Sequence, residues 1–422
     1  MTKYQFTYFI HPFFVDKTKY SKYILKLLKY KNCKYKIFEK EKDLDIYNFF
    51  LPNIRNFLFP TFELRGEELK DFNLLKDEEK AKMISKDSAC CFTYSVNKEH
   101  PINVEAENGI FFKIEEIEII CFNSGICFFN MKTHLEDTNK FVDVLDFNYR
   151  FKEINSEFAS LKEYENINLK TDSFNNLNEI VELIKNVTGA NTKKKKKDTK
   201  LKAKKESVVN SQFYTFSYVC IETSNWSEKT NFANLENDFL RFANVLPSNY
   251  NSDFNKANLE HNLHVIEKLK YVKTTISNTA SNILCSGIDI YNYTKLPYEY
   301  ENQYFYLYIL SLYKKIFLMQ LDKEFRISDQ IVKLRESFIK FTKDIWNKEV
   351  TLDDTGALYY KTINKTLELD ELYKEIQNKY EVIYRDLNIE KNNNYYSIIV
   401  ILLIFSLIFN TINILFLMYL LS

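Results

Sequence analysis

Residues 395–421 read YYSIIVILLIFSLIFNTINILFLMYLL and form the most apolar stretch of the chain. The stretch carries no charge and exceeds the roughly 20 residues that a helix needs to cross a hydrocarbon core about 30 Å thick. The alternative is a buried core helix, but core helices rarely run this long without a polar face. We therefore predict a C-terminal transmembrane helix at residues 395–421.

Four polar residues interrupt this stretch, namely Ser406, Asn410, Thr411 and Asn413. Amide side chains in hydrocarbon are costly unless they face a partner helix or water. Asn410 and Asn413 are three residues apart, so they fall on nearly the same face of a helix. They either hydrogen-bond across identical helices or line a wet path, and both readings require several copies. We predict that the four residues line a pore.

A long amphipathic segment precedes the apolar stretch, separated from it only by KNNN at 391–394. Its apolar residues recur at spacings of three and four, a narrow stripe typical of coiled coils. This stripe, here called the stalk seam, consists of Leu369, Leu372, Ile376, Tyr380, Ile383 and Leu387. A self-associating rod that continues into a spanning helix predicts a homo-oligomer.

The rest of the chain divides by pattern. YQFTYFIHPF at 4–13 predicts a strand, and IEIICFNSGICFF at 117–129 predicts a hairpin that turns at Asn123–Gly125. From about residue 236 the apolar spacing is helical. We predict an α+β protein with three parts: an N-terminal α/β cytosolic domain at 1–235, a helical region and stalk at 236–391, and the transmembrane segment at 395–421.

Charge and cysteine usage narrow the possible environment and partners. The 58 Lys and Arg balance 57 Asp and Glu, which argues against direct binding of nucleic acid by the whole chain. The Lys-rich stretch at about 190–208 is typical of a disordered insert, with attachment to anionic lipid or RNA as the alternative. Seven cysteines without framework spacing, and no secretory signal pattern, indicate reduced thiols. Lys391 and Arg385 before the apolar stretch predict that the bulk of the chain is cytoplasmic.

Catalytic motifs are missing from the sequence. Neither a glycine-rich phosphate loop nor G-x-S-x-G occurs, and His261 and His264 lack the spacing of a zinc-protease helix. We predict no enzyme, no metal site and no cofactor. Asn148 and Arg150, and separately Trp346, are candidate ligand-binding residues, because arginine and tryptophan are scarce in this chain. The alternatives are an ion pair at a sheet edge for the first two residues and, near Trp346, capping of the stalk helix by Thr351, Asp353 or Asp354.

Six stretches together resemble the divergent CorA-like membrane proteins of bacteria, notably those found beside type III CRISPR systems. They are FTYFIHPFF at 6–14, KIFEKEKDLDIYNFFLPNIRNFLF at 36–59, IEIICFNSGICFF at 117–129, VLDFNYRF at 144–151, YLYILSLYKKIFLM at 306–319 and IWNKEVTLDDTGALYYKTINKTLELDELYKEI at 345–376. The resemblance covers nearly the whole chain apart from the Lys-rich insert. It implies a pentamer with a cytosolic domain, stalk helices and a pore in the inner (plasma) membrane, whose lipid bilayer would be a partner.

The chain departs from the magnesium-transporting branch of that family, since it has no Gly-Met-Asn loop. The CRISPR-linked branch implies a nucleotide second messenger as ligand, an adenylated S-adenosylmethionine (SAM-AMP). The leading expectation is therefore an antiviral membrane effector, a CorA-like channel gated by that messenger. The alternatives are a CorA-type transporter of magnesium or other divalent cations, with Mg²⁺ as a possible ligand, and a tail-anchored coiled-coil interaction protein.

Overall fold

The N-terminal stretch TKYQFTYFIHPFF forms β1 (Thr2–Phe14), which lies in the middle of a large sheet. Its aromatic residues and threonines favour an extended backbone packed on both faces. Beyond Ile10, β1 has a pairing partner on one side only, and Pro12 lies in that part. Such a position tolerates proline, because a backbone N–H is not needed on both sides.

The structure, a computed structural model, describes residues 1–30, 32–64, 66–94, 102–105, 111–135, 140–152, 169–170, 212–222, 229–251, 256–261, 263–327 and 331–421. The other strands of these residues are β2 (Cys33–Lys36), β3 (Ala89–Tyr94), β4 (Ile102–Glu105), β5 (Phe111–Phe122), β6 (Ile126–Leu135), β7 (Leu169–Lys170), β8 (Tyr214–Ile221), β9 (His264–Ile266), β10 (Val272–Ile276) and β11 (Ala280–Ser286).

Nine of these strands run in the order β2-β3-β5-β6-β1-β8-β11-β10-β9, and β4 joins β5 to β7 at the side. Among the described strands, neighbours pair antiparallel except β8 and β11, which are parallel. A parallel pair needs a crossover connection, and the helix α7 (Lys229–Asn244) lies in the chain between these two strands.

The helices of the described residues are α1 (Tyr20–Leu28), α2 (Leu44–Phe49), α3 (Pro52–Leu58), α4 (Gly66–Leu74), α5 (Asp77–Ile84), α6 (Phe141–Phe151), α7 (Lys229–Asn244), α8 (Lys256–His261), α9 (Tyr291–Thr294), α10 (Leu296–Glu299), α11 (Phe305–Ile327), α12 (Ile331–Asp344), α13 (Asp354–Thr366) and α14 (Leu369–Leu421). Short 3₁₀ turns occupy Lys17–Lys19 and Pro60–Glu63, and a π-helix at Tyr300–Tyr304 joins α10 to α11.

Helices cover both faces of the sheet. Phe6, Tyr8 and Ile10 of β1 point to one face, where α11, α13 and the start of α14 pack. Phe9 and Phe13 point to the other face, which α1, α5, α6 and α7 cover. We call these the α11 face and the α6 face. Polar residues that alternate along a strand therefore do not automatically reach water in this fold.

The hairpin predicted at residues 117–129 is confirmed. β5 and β6 pair antiparallel up to Cys121 and Cys127, and the chain turns through Asn123–Gly125. Gly125 has a φ of 94°, a left-handed conformation that side chains disfavour. A Cβ atom at this position would lie 2.3 Å from the carbonyl oxygen of Val15, so only glycine fits the turn.

The sheet continues into the range where we expected helices. Residues 264–286 form β9, β10 and β11 and complete the sheet beyond β8. Threonines and β-branched residues in VKTTI and ASNILCS favour strands, and the apolar spacing of such short runs does not separate a strand from a helix. The boundary that we placed at residue 235 therefore does not coincide with the end of the sheet.

The prediction of a transmembrane helix at residues 395–421 is wrong. In the described part of the chain, no helix is both long and apolar enough to cross a membrane. The prediction relied on sequence apolarity alone. The CorA-like channel architecture is overturned with it.

Candidate functional site

A cavity of about 380 Å³ lies where α2, α9, α10, the π-helix and the start of α13 meet. We call it the α13 cavity. Its volume is within the range of small-molecule sites in proteins. Its apolar and aromatic wall consists of Phe49, Leu269, Tyr291 and Tyr304. Its charged residues are Asp45, Lys295, Glu299 and Asp353, and its neutral polar residues are Asn48, Gln303 and Thr355.

Negative charge dominates the lining of the α13 cavity. Asp45, Glu299 and Asp353 face a single cationic residue, Lys295. The Lys295 ammonium lies 3.2 Å from a Glu299 oxygen, but its side chain is 71% exposed, so water screens this pair strongly. The cavity therefore favours a positively charged group and disfavours a phosphate.

Two phenols complete the wall of the cavity. The Tyr291 hydroxyl donates a hydrogen bond to Glu299 at 2.5 Å. Burial and the Glu299 carboxylate raise the pKa of Tyr291, and burial, Asp353 and Glu299 raise that of Tyr304. Both phenols therefore stay neutral near pH 7 and present aromatic rings, which attract cations.

The start of α13 forms one side of the cavity, and the local sequence TLDDTG explains why a helix begins there. The Asp353 side chain accepts a hydrogen bond from the backbone N–H of Gly356 at 2.6 Å, which is an N-cap. Gly356 also lets the chain approach α2, because a Cβ atom would lie 2.6 Å from the ring of Phe49. Asp353 thus belongs both to the cavity and to the first turn of α13.

The π-helix forms the inner side of the cavity. Gln303 and Tyr304 line the cavity, as does Glu299 directly before the π-helix, whereas Glu301 contacts the sheet. The ring of Tyr300 stacks on Phe216 of β8 with centroids 4.0 Å apart. π-turns are rare and occur frequently at functional sites, which makes this wall the strongest candidate in the described fold.

Behind the π-helix, on the α11 face of the sheet, lies a group of six charged side chains and one tyrosine that we call the charged cluster. It consists of Tyr8, Lys36, Glu115, Glu116, Glu118, Lys132 and Glu301. Glu301 accepts hydrogen bonds from the Tyr8 hydroxyl at 2.6 Å and from the Lys132 ammonium at 2.7 Å. Lys132 also lies 3.2 Å from Glu115. The cluster thus ties the π-helix to β1 and β6.

Glu116 and Glu118 differ in how the cluster balances their charge. Lys36 forms an ion pair with Glu118, whose side chain is 3% exposed. Burial and the nearby Glu118 carboxylate raise the pKa of Glu116 to about 7. Asn130, directly opposite Glu118 on β6, is fully buried, and neither of its side-chain polar atoms has a hydrogen-bond partner among the described residues. Networks of this kind are common at functional sites.

The structure does not bring the predicted ligand-binding residues together. VLDFNYRF is helical and lies within α6, so the alternative of an ion pair at a sheet edge does not apply. Asn148 is buried on the α6 face and donates a hydrogen bond to Ser217 at 3.2 Å, whereas Arg150 is exposed. Trp346 packs on the opposite, α11 face of the sheet. Neither a shared pocket nor a shared ligand follows for these three residues.

Trp346 lies instead beside a buried lysine. Its ring stacks on Tyr373 of α14 with centroids 4.3 Å apart, and the Lys314 ammonium lies 5.4 Å from the Trp346 ring. Lys314 donates a hydrogen bond to the Tyr360 hydroxyl. Burial lowers the pKa of Lys314 to about 7, although Asp370 opposes this shift.

The first half of the stalk seam packs inside the chain. Leu369 and Ile376 are buried in the core of the α11 face, and Leu372 is partly buried against it. The Tyr380 ring lies 6.3 Å from that of Phe338 in α12. The side chains of Ile383 and Leu387 lie outside the described residues. Pairing of the seam with other copies stays a prediction.

The pore-lining role of four residues depended on a transmembrane helix and is withdrawn with it. Ser406, Asn410 and Thr411 are exposed on α14, and the Thr411 hydroxyl donates to the carbonyl of Leu407 at 3.1 Å. The side chain of Asn413 lies outside the described residues.

Sequence reasoning missed the α13 cavity and the charged cluster. The cavity residues come from distant segments, such as Asp45, Glu299 and Asp353, and no local pattern joins them. Glu116 and Glu118 were visible, because they alternate with isoleucines in β5. That alternation supported only the predicted hairpin, because the sequence does not show that helices cover both faces of the sheet.

No family model, no curated protein and no solved structure matches the chain. The resemblance to the CRISPR-linked proteins therefore stays a prediction. Within the described residues, no group of three or more His, Cys, Asp or Glu side chains could hold a metal ion.

Proposed function

We propose that this protein is a ligand-responsive regulator, in which a small organic cation binds in the α13 cavity and changes the position of α13 and α14. The observation that carries the proposal is the double role of Asp353. This residue lines the cavity and caps the helix α13. A ligand that engages its carboxylate competes directly with the capping hydrogen bond.

The connection from α13 to α14 supports transmission over a distance. Only Leu367 and Glu368 separate the two helices, and Glu368 has a φ of 54°. Because this turn is tight and Leu367 is buried, a shift of α13 displaces the start of α14. A ligand changes such an equilibrium only as far as it binds one arrangement better than the other.

The proposed output is a change in how the distant part of α14 associates with other copies of the chain. There, ten large apolar side chains between Ile398 and Phe409 are each 51–67% exposed, on all sides of the helix. An exposed apolar surface of this kind marks an interaction site. One partner in a groove would cover one side only, so the surface fits a bundle of several copies of this chain.

The charge of the cavity guides the choice of ligand. The adenylated S-adenosylmethionine implied by the resemblance carries a sulfonium cation and adenine rings, which suit the acidic and aromatic wall. Its phosphate does not suit the wall and would have to remain outside. This messenger is therefore the first compound to test, with S-adenosylmethionine as the simpler cation and ATP as the anionic comparison.

The test is calorimetric titration of the full-length protein with the three compounds. We expect the two sulfonium compounds to bind and ATP not to bind. Asp353→Asn is expected to weaken binding about tenfold or more, because a charged hydrogen-bond partner is lost. Asp354→Asn is the matched control, since Asp354 is the next residue, does not line the cavity and has a 94% exposed side chain. Equal affinities of the two variants, or binding of ATP alone, would contradict the proposal.

The output is measured in the same samples by light scattering after size exclusion, with and without S-adenosylmethionine. We expect the ligand to change the number of copies in the assembly for the wild type and for Asp354→Asn. Leu403→Ser and Phe405→Ser together should prevent assembly without affecting affinity for the ligand. A monomer under all conditions would contradict the proposed output.

A further inference from the structure

We propose that Lys132 and Glu301 of the charged cluster position the wall of the α13 cavity, and that Glu116 makes this positioning depend on pH. The anchoring itself is independent of the proposed function. Only its consequence for ligand affinity rests on that function.

Glu301 is the attachment point of the π-helix on the sheet. Its carboxylate receives the Tyr8 hydroxyl from β1 and the Lys132 ammonium from β6. Glu299 and Gln303, two residues before and after it, line the α13 cavity. Any movement of Glu301 away from the sheet therefore moves both cavity residues.

Glu116 competes for the same ammonium group. In the register of the sheet, Lys132 lies directly opposite Glu116 on one side and Tyr8 on the other. Side chains of directly opposed residues lie on one face and interact. The Lys132 ammonium already lies 2.7 Å from a carboxylate oxygen of Glu301 and 3.2 Å from one of Glu115. An ionised Glu116 would be a third carboxylate that attracts this ammonium.

The surroundings of Glu116 fix the direction of the effect. The groups that act on it are Glu118 on its own strand, Lys36 on β2, Lys132 on β6 and Glu301 on the π-helix. The charge of Glu116 also raises the pKa of Tyr8 in β1, Cys91 in β3 and Tyr306 in α11, and all three side chains are neutral when protonated. Half-buried among other carboxylates, the Glu116 carboxyl has its pKa raised to about 7.

Below pH 7, Glu116 is neutral and does not compete with Glu301 for the ion pair with Lys132. Above pH 7, the Glu116 carboxylate attracts Lys132 and repels Glu301. The π-helix is therefore held tightly at low pH and more loosely at high pH. The affinity of the cavity for its ligand should follow the same order.

Hydrogen exchange of the backbone amides measures the anchoring without any ligand. The readout is the protection of a peptide that covers residues 299–306, followed from pH 5.5 to 8.5 and corrected for the intrinsic exchange rate. We expect protection in the wild type to fall about tenfold across pH 7, as an interaction equivalent to one pKa unit would produce. A peptide from α5 should show no such change.

Two variants and a control identify the groups. Glu116→Gln should keep the protection high and independent of pH. Lys132→Met should lower the protection at every pH and also remove the dependence on pH. Glu78→Gln is the control, because Glu78 lies in α5, outside the charged cluster, with a 54% exposed side chain, and it should retain the wild-type profile. If Glu116→Gln fails to fold, the Lys132→Met profile alone decides.

The proposal is overturned if the wild-type protection is flat across pH 7, or if Glu116→Gln keeps the wild-type slope. A titration with S-adenosylmethionine at pH 6 and pH 8 separates this inference from the proposed function. We expect weaker binding at pH 8 in the wild type and equal binding in Glu116→Gln. If exchange changes as expected but the compound never binds, the anchoring stands and the proposed function is wrong.

Discussion

The carboxylate of Asp353 accepts a hydrogen bond from the backbone N–H of Gly356 at 2.6 Å, in the wall of the α13 cavity. This contact makes the start of α13 both a helix cap and a part of a binding site. The residues on either side of it therefore control stability and ligand access together.

Gly356→Ala should destabilise the protein by about 1–3 kcal/mol, the usual effect of overpacking a core. The added Cβ atom would lie 2.6 Å from the Cζ atom of Phe49 and 3.1 Å from the Cγ2 atom of Thr351. Urea unfolding gives the change in the free energy of unfolding. Gly66→Ala is the control, since nothing beyond its chain neighbours and its own helix backbone lies within 4 Å of its Cβ position among the described residues, and it should change stability by less than about 0.5 kcal/mol. Equal effects of the two substitutions would contradict the packing argument.

Lys314→Met should reduce the pH dependence of stability between about pH 7 and pH 10.5. Burial lowers the pKa of Lys314 from 10.5 to about 7, so the folded state binds fewer protons than the unfolded state in this window. For the wild type, the contribution of Lys314 therefore makes the protein more stable as the pH rises from 7 toward 10.5. Below pH 7 both states are protonated, and the slope from this group vanishes.

The measurement is urea unfolding of Lys314→Met at pH 7 and pH 9.5. Methionine fills a similar volume without a charge, so the variant should gain stability relative to the wild type at pH 7 and less at pH 9.5. Lys340→Met, at an exposed position of α12, is the control and should follow the wild type. A loss of stability at pH 7 that grows at pH 9.5 would have the wrong sign.

Ile376→Ala should destabilise the folded chain by about 2–5 kcal/mol, because Ile376 is fully buried against the core of the α11 face. Gln377→Ala, its exposed neighbour, should change stability by less than about 0.5 kcal/mol. Unfolding at two protein concentrations tests whether the core that Ile376 contacts belongs to the same chain. An effect of Ile376→Ala that depends on concentration would assign this residue to contacts between copies.

All seven cysteines should resist labelling in the native protein. They are free and buried, and burial raises the pKa of Cys33 to about 12, so very little reactive thiolate exists near pH 7. An Ellman's assay should report seven thiols in 6 M guanidinium chloride and close to none within minutes under native conditions. Rapid reaction of one thiol in the native protein would mean that its strand opens locally.

Local sequence patterns predicted those parts of the fold that depend on contacts between residues close together in the chain. The hairpin of β5 and β6 follows from alternation and a glycine turn, both visible within thirteen residues of sequence. β9, β10 and β11 were missed because their strand character depends on pairing with β8, a tertiary contact that outweighs ambiguous spacing. Helical spacing in the stalk seam was real, but the sequence could not tell whether the seam packs on α11 and α12 or on another chain.

The candidate site was predictable to a smaller degree. Asp353 was recognised as a possible helix cap, but its contact with the cavity depends on Phe49 and Glu299, which are remote in sequence. The long apolar run at 395–421 was misleading for the opposite reason. Its composition alone suggested a lipid-crossing helix, whereas in the part of the chain that the structure describes no helix is long and apolar enough to cross a membrane.

The position of β1 has a consequence for synthesis on the ribosome. Thr7 of β1 contacts Ser217 of β8 across 210 residues of sequence, so β1 emerges long before one of its two neighbouring strands. The nascent chain can pair β1 with β6 much earlier, which leaves a long aromatic edge open for the interval. Residues 136–213 lie between β6 and β8, so at translation rates of about 5–20 residues per second that interval lasts about 4–16 seconds. Chaperones that shield extended aromatic segments should therefore raise the yield of this protein more than those that act after release.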